Sequence, residues 1–270
     1  MKNTIKILCT DIDGTLLNEE RWLSNRTITA FSKIQLPTIL ASSRPPQAMR
    51  YLQEGLGISG SALIAFNGGL ILGENGKLIE SNKLSTKILE TLKKHHSNHN
   101  YNLSIYSFEH WFTAREDQHT KHEIFTTRDS PKIQSVAQTL DFLVSKELGI
   151  HKLMCMGTPD ELDSIVQFLS PIHGNEVHLY RSKDTYLEIT PKYIDKAKAL
   201  KKLLDTDFDH GIDTVIAFGD NHNDDELLRN ARYGVAVANA TDNLKSMADY
   251  VSPYTNKEDA VARTMEKMLL

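Results

Sequence analysis

Ile5-Lys6-Ile7-Leu8-Cys9-Thr10-Asp11-Ile12-Asp13-Gly14-Thr15-Leu16 decides how the chain is read. The apolar run before Asp11 reads as a buried strand. An extended backbone sends alternate side chains to one face, so Asp11 and Asp13 can point the same way from the carboxyl end of that strand. Gly14 then lets the chain turn sharply. Two like charges held this close either perturb each other's protonation or bind a cation, which is useful chemistry and poor packing. One carboxylate could serve as a nucleophile and the other as an acid. The structural alternative is an Asp-Gly turn that simply ends a strand.

Outward from this stretch, strands and helices alternate. A helical pattern from about Ser24 to Ile34 leads to the apolar strand Pro37-Thr38-Ile39-Leu40-Ala41, which ends in Ser42-Ser43-Arg44-Pro45. The Pro-Pro pair opens a second helix, with Met49, Leu52 and Leu56 at helical spacing and Gly57 just past its end. Ala62 to Phe66 is a third strand, followed by Asn67-Gly68-Gly69 and by a hairpin signal at Asn75-Gly76. This alternation implies a parallel sheet covered on both faces. After about Lys83 the order changes to paired strands with packed helices, with strands near Leu103-Tyr106, Trp111-Thr113, His151-Met156, Val177-Arg181 and Tyr186-Ile189. From Pro191 the first pattern returns, with a helix to Leu204 and the strand Thr214-Phe218. The expected fold is therefore α/β, with a discontinuous parallel-sheet core at residues 1–82 and 188–270 and an α+β domain inserted at 83–187.

Gly219-Asp220-Asn221-His222-Asn223-Asp224-Asp225-Glu226 follows the late strand as Asp11 follows the first. Ligands gather at the carboxyl ends of parallel strands, so these distant segments can meet. Carboxylates gathered there repel one another without a cation, and oxygen-only ligands suit Mg²⁺. An acidic helix N-terminus would account for Asp224 to Glu226 through the helix dipole, but not for Gly219-Asp220.

Composition narrows the class. The 270 residues are 40% hydrophobic, ample for one large core or two domains, and a net charge of -4 offers no broad basic surface to a nucleic-acid backbone. The opening apolar run is too short for a signal peptide, and no segment approaches the length that spans a bilayer. A cytoplasmic protein with neither nucleic-acid nor membrane partner is expected. Cys9 and Cys155 lie in apolar runs where a thiol acts as a small hydrophobe, so neither a disulfide nor a catalytic thiol is expected. His95, His96, His99, His119 and His122 have helical spacings that could bind zinc, but they lack matching Cys or acidic residues and read as solvated surface.

Asp11-x-Asp13-Gly-Thr15, Ser42 after the second strand, Lys196, and Gly219-Asp220-x-x-Asn223-Asp224 follow the motif order of the haloacid dehalogenase (HAD) superfamily, which the chain resembles over nearly its whole length. Asn67-Gly68, Ile189-Thr190-Pro191, Asn239-Ala240 with Lys245, and Ala248-Asp249-Tyr250-Val251 are similar to its Cof-type branch, subfamily IIB, whose members carry a large α+β (C2B) cap. The resemblance implies a Rossmann-like core with that cap and a Mg²⁺-dependent phosphomonoester hydrolase. Asp11 then looks like the nucleophile that becomes an aspartyl phosphate. Asp13 looks like the general acid and base, with a pKa tuned upward by the neighbouring charge. Asp11, Asp220 and the backbone carbonyl of Asp13 would hold Mg²⁺, with Asp224 assisting directly or through water. Ser42, Lys196 and Asn223 would hold the phosphoryl oxygens. Arg44, Asn67 and Gly68 are substrate candidates, although Arg44 reads equally well as a salt-bridge partner. Lys196 shares an amphipathic stretch with Lys192, Lys198, Lys201 and Lys202, most of which must be a solvated face.

Some positions depart from the family's usual letters. Ser42 and Ser43 stand where Thr and Gly are commoner, and Asp225 replaces an apolar residue, adding negative charge near the metal. The expected substrates are small phosphorylated metabolites, sugar phosphates first and phosphorylated flavin or pyridoxal cofactors second, with a phosphomutase as a related alternative. The cap should select among them through groups such as Tyr106, Trp111, His119 and Arg181. A phospho-accepting signalling module would share Asp11 but be shorter, lacking the insert and Asp13 as an acid. No protein partner is implied.

Overall fold

A computed structural model describes residues 4–270. The strand Ile7–Thr10 is buried at all four positions because helices cover both faces of its sheet. The sheet has eight strands in the order Tyr250–Val251, Tyr233–Ala236, Val215–Gly219, Ile7–Thr10, Thr38–Ala41, Leu63–Ala65, Leu70–Leu72 and Leu78–Ser81. The first six run parallel, and Leu70–Leu72 turns back antiparallel on Leu63–Ala65. Ile7–Thr10 pairs with Val215–Gly219 on one side and Thr38–Ala41 on the other. The chain leaving it at Asp11 therefore emerges beside the chain leaving Gly219 at Asp220.

The helices start where their caps dictate. Ser24 accepts from the backbone N–H of Thr27 and opens Asn25–Lys33, and Asp195 accepts from Lys198 and opens Lys196–Asp207. The second start corrects the expected helix from Pro191: Pro191 ends a strand, and Lys196 occupies the first turn of a helix. Leu200, Leu203 and Leu204 of that helix pack against Ile7, Cys9, Ile39, Ile64, Val215 and Ala217. Truncating one such leucine to alanine would cost about 2–5 kcal/mol.

The chain divides into two compact units, one holding the described residues to Glu80 with Asp195–Leu270, the other Ser81–Ile194. The second change of unit falls at Ile194 rather than near Leu187, because Tyr186–Pro191 is bonded along its length to Val177–Lys183 and Lys152–Met156. The Ser81–Ile194 unit is built on a six-stranded sheet in the order Val177–Lys183, Tyr186–Pro191, Lys152–Met156, Asn102–Ser107, His110–Thr113 and Lys132–Ile133. Only the pairing of the last two strands is parallel. Helices Thr86–His96, Val136–Ser145 and Pro159–His173 bury Leu89, Leu92, Leu143, Ile165 and Leu169 with Leu103, Ile105, Leu153, Cys155 and Leu187, alternate residues of the strands.

Two expectations change here, for His95 and for the pair Tyr106 and Trp111. His95 is buried rather than solvated: it stacks on His99 at 3.9 Å and lies within hydrogen-bond distance of the Tyr101 hydroxyl and of Ser164. Tyr106 and Trp111 are also buried, stacked on one another, with the indole N–H donating to Ser104. Arg181 donates to Asp163 and to the carbonyl of Asp184. Among the described residues no helix is long and apolar enough to cross a membrane.

Candidate active site

Asp11 continues the central strand by one hydrogen bond, its N–H donating to the carbonyl of Phe218. Its side chain is nearly buried. Lys196 Nζ donates to Asp11 Oδ1 at 2.6 Å and to Asp224 Oδ1 at 2.7 Å, and this lysine is fully buried. Of the lysines clustered along its stretch, Lys196 is the one brought inside, because the Asp195 cap starts the helix there. Asp224 bonds at both oxygens. Its Oδ2 accepts the backbone N–H groups of Asp220 and Asn221, tying the loop after Gly219 into a compact turn. Asp220 Oδ1 accepts from the Thr15 hydroxyl at 3.2 Å.

Gly14 is required by this arrangement. Its φ is +82°, and a Cβ there would sit 2.2 Å from Asp220 Oδ2. The glycine thus serves both the turn after Asp13 and the approach of a carboxylate. Asn239 donates to the Gly14 carbonyl at 2.8 Å and fixes the turn from the other side.

Asp11, Asp220 and Asp224 each offer an oxygen, and the three oxygens lie within 4.8 Å of one another. Burial pushes the Asp11 carboxyl up to about 7 against the pull of Lys196, with Asp224 adding to the rise. Burial, then the neighbouring Asp11 and Asp224, push Asp220 up to about 8. One lysine does not balance three carboxylates. An all-oxygen set with this excess of negative charge fits a hard divalent cation such as Mg²⁺. Burial also pushes the Cys9 thiol, beneath the site, up to about 12, which suits a packing role.

Asp13 stands apart from this cluster. Arg44 grips it with two bonds, Nε to Oδ2 at 2.7 Å and Nη2 to Oδ1 at 2.8 Å, and Arg21 Nη2 reaches Oδ1 at 2.5 Å. Burial raises the Asp13 carboxyl, but the Arg44 guanidinium, then Arg21 and Lys196, outweigh it and hold the group below the usual carboxylate range. The expected upward tuning of Asp13 is therefore corrected: its nearest charges are cations. Arg44 is 3% exposed and also donates to the Ala48 carbonyl and the Tyr51 hydroxyl.

The remaining sequence candidates fall around these groups. Ser42 is buried at the end of Thr38–Ala41, its hydroxyl accepting the Arg44 N–H. Asn223 Nδ2 donates to Asn67 Oδ1 at 3.1 Å, joining the loops after two strands. Gly68, at φ +103°, lets its backbone approach the Asp195 carbonyl, which a Cβ would meet at 2.7 Å. It thereby seats the helix that carries Lys196. Asp225 turns to Asn243, accepting from its amide at 2.9 Å, and lies outside the carboxylate group. His222 is exposed, 3.7 Å from Asp225. Sequence reasoning missed Arg21 as a partner of Asp13 and Thr15 as a donor to Asp220. Thr15 was visible inside the opening motif, whereas no local pattern marks Arg21.

Residues 8–265 match the family model described as haloacid dehalogenase-like hydrolase. The chain belongs to that family. As a haloacid dehalogenase-like hydrolase it is similar to a 5-amino-6-(5-phospho-D-ribitylamino)uracil phosphatase of Bacillus subtilis, at 28% identity over 98% of this chain and 96% of the relative. Among solved structures it resembles a haloacid dehalogenase-like hydrolase from Bacteroides thetaiotaomicron, with a TM-score of 0.89, 28% identity, and coverage of 98% and 99% of the two chains. The fold also matches that of the HAD subclass IIB sugar phosphatase BT4131, with a TM-score of 0.80 at 18% identity over 97% of this chain and 98% of that one.

Proposed function

We propose that this HAD-type phosphatase hydrolyses small phosphate monoesters, sugar phosphates foremost, through a phosphorylated Asp11. The observation that carries the reading is a buried carboxylate at a central strand end, tied to a buried lysine and flanked by Asp220 and Asp224. That the Bacillus subtilis relative is named for an ester on a ribityl chain supports the substrate class.

Asp11 and Asp220, with the backbone carbonyl of Asp13, would hold Mg²⁺, and Asp224, whose oxygens are engaged by Lys196 and two backbone N–H groups, would support them from behind. Bound there, the cation offsets repulsion between the anionic nucleophile and the anionic phosphate. The chain's own groups do the rest. Lys196 fixes one oxygen of Asp11, leaving the other to attack phosphorus in line with the leaving oxygen. Lys196, Ser42 and Asn223 donate to the phosphoryl oxygens as charge builds on them. Asp13 hands a proton to the departing alkoxide, then takes one from the water that attacks the aspartyl phosphate, returning Asp11 and inorganic phosphate. The guanidiniums beside Asp13 favour its carboxylate form, the form that activates water.

A panel of phosphate esters assayed with Mg²⁺ tests this reading. Turnover should require Asp11, so that Asp11→Asn removes it while the melting temperature holds, and EDTA should silence the native enzyme. Activity in either sample would refute the mechanism.

A further inference from the structure

Arg21 is unlike Arg44 in every respect except its partner. Arg44 is buried and held by four bonds to three groups. Tyr51, which receives one of them, is itself stacked under Trp22 at 5.6 Å. Arg21 is 39% exposed and reaches Asp13 through Nη2 alone, and its Nε is buried with no hydrogen-bond partner. It sits at φ 56° in a tight loop where its N–H donates to the Asn18 carbonyl and Trp22 closes back on Asn18. A left-handed backbone at a residue with a long side chain is uncommon. Asp13 is bonded by two guanidiniums, while the negative excess of Asp11, Asp220 and Asp224 lies in the carboxylate group next to it. Glu19, on the same loop, is taken up by Lys257 at 2.7 Å.

Asp13 must meet the leaving oxygen of the ester, yet its Oδ1 accepts from both arginines and its Oδ2 from Arg44. Three bonds leave Asp13 one open lone-pair site, on Oδ2, and the contact that yields most readily is the single one from Arg21. Arg44 is locked, and Arg21 is not. We propose that Arg21 leaves Asp13 for an oxyanion on the leaving group, a carboxylate or second phosphate near the ester oxygen, so that it selects anionic phosphate esters over neutral ones. The unpaired Nε and the half-exposed guanidinium are what an oxyanion would satisfy, since a guanidinium offers a planar pair of donors. Arg21 then couples recognition to chemistry: the substrate that engages it also frees Asp13.

The inference rests on the phosphatase reading, and the test separates the two. Hydrolysis of p-nitrophenyl phosphate, lost in Asp11→Asn, reports on the reading itself. Inhibition constants against that hydrolysis report on Arg21, for two matched pairs: 3-phosphoglycerate with glycerol 3-phosphate, and fructose 1,6-bisphosphate with fructose 6-phosphate. The wild type should bind the more anionic member of at least one pair more tightly, and Arg21→Met should shrink that preference about tenfold, the worth of one charge-assisted hydrogen bond. Arg21→Lys should keep part of it. Arg21→Gly, which suits the left-handed backbone, should behave as Arg21→Met does and shows that the effect is not misfolding. Which pair responds identifies carboxylate or phosphate as the oxyanion. A wild type with no anionic preference in either pair, or preferences unchanged in Arg21→Met and Arg21→Gly, overturns the proposal; a purely structural Arg21 would shift both members of a pair alike.

Discussion

Lys196→Met replaces the fully buried ammonium with an apolar chain of similar length. Two carboxylates lose their shared partner, Asp11 at 2.6 Å and Asp224 at 2.7 Å, where Lys196 and Asp224 are fully buried and Asp11 is nearly so. Removing one member of a buried pair costs about 3–5 kcal/mol, because the charge left behind is uncompensated. Asp11 can lessen the loss by taking up a proton, since burial already pushes it up to about 7, so the low end of that range applies near neutral pH. Asp224 has no such simple outlet, because its Oδ2 is committed to two backbone N–H groups. At about 2–4 °C per kcal/mol for a chain of this size, a loss of about 3 kcal/mol lowers the melting temperature by roughly 6–12 °C. The measurement is urea and thermal unfolding in EDTA, so that no cation takes the lysine's place. Pairing Lys196→Met with Asp224→Asn removes one orphaned charge and should recover at least about 1 kcal/mol, a coupling that a double-mutant cycle isolates. A single variant within about 1 kcal/mol of wild type, or strictly additive losses in the double variant, would show that the lysine is not what makes the buried carboxylates tolerable.

Two further outcomes follow from other parts of the molecule. Gly14→Ala puts a methyl 2.2 Å from Asp220 Oδ2 at a backbone φ of +82°. It should destabilise the fold by about 1–2 kcal/mol and, by moving Asp220, weaken Mg²⁺ binding in calorimetry about tenfold or more; unchanged affinity would place the cation away from Asp220. His151 is buried with Nδ1 accepting the Phe108 N–H and Nε2 against Ser81, and burial, reinforced by Lys83, holds its pKa down at about 4. Its stabilising contribution is complete above the unfolded value near 6.5 and drains away as the pH falls, by about 2 kcal/mol between pH 7.5 and 5. The stability of the Ser81–Ile194 unit should therefore fall with acid more in the wild type than in His151→Gln, and parallel pH curves would contradict this.

What could be read from the sequence was local. Alternation through Ile7–Thr10 and the glycine after Asp13 announce a buried strand ending in carboxylates, and the Asp220 to Asp224 cluster announces a second. Both signals depend on residues within a few positions of one another, and the structure brings the two ends together because their strands are neighbours. Pairings across the fold were not legible. Pro191 suggested a break before a helix, yet it closes a strand whose partners lie at Lys152–Met156 and Val177–Lys183. Asp225 lies next to Asp224 and suggested a fourth charge at the metal, but a helical step turns it toward Asn243.

Asp13 shows most clearly why the rest was hidden. Seen along the chain, its nearest charge is Asp11, two residues away, and repulsion between them argues for a raised pKa. Seen in space, its contacts are Arg44, from the loop after the second strand, and Arg21, from a loop whose left-handed turn no periodicity reports. A pKa follows the sum of surrounding charges and burial rather than the chain neighbours, so the sign of the shift reverses once both arginines are placed. The consequence reaches the mechanism. A carboxylate clasped by two guanidiniums is ready to take a proton from water, and loosening either guanidinium makes it a readier donor to an alkoxide. The acid half of the cycle therefore gains from loosening a contact that the base half can keep. Arg21, held to Asp13 by one bond where Arg44 has two, is where that release costs least.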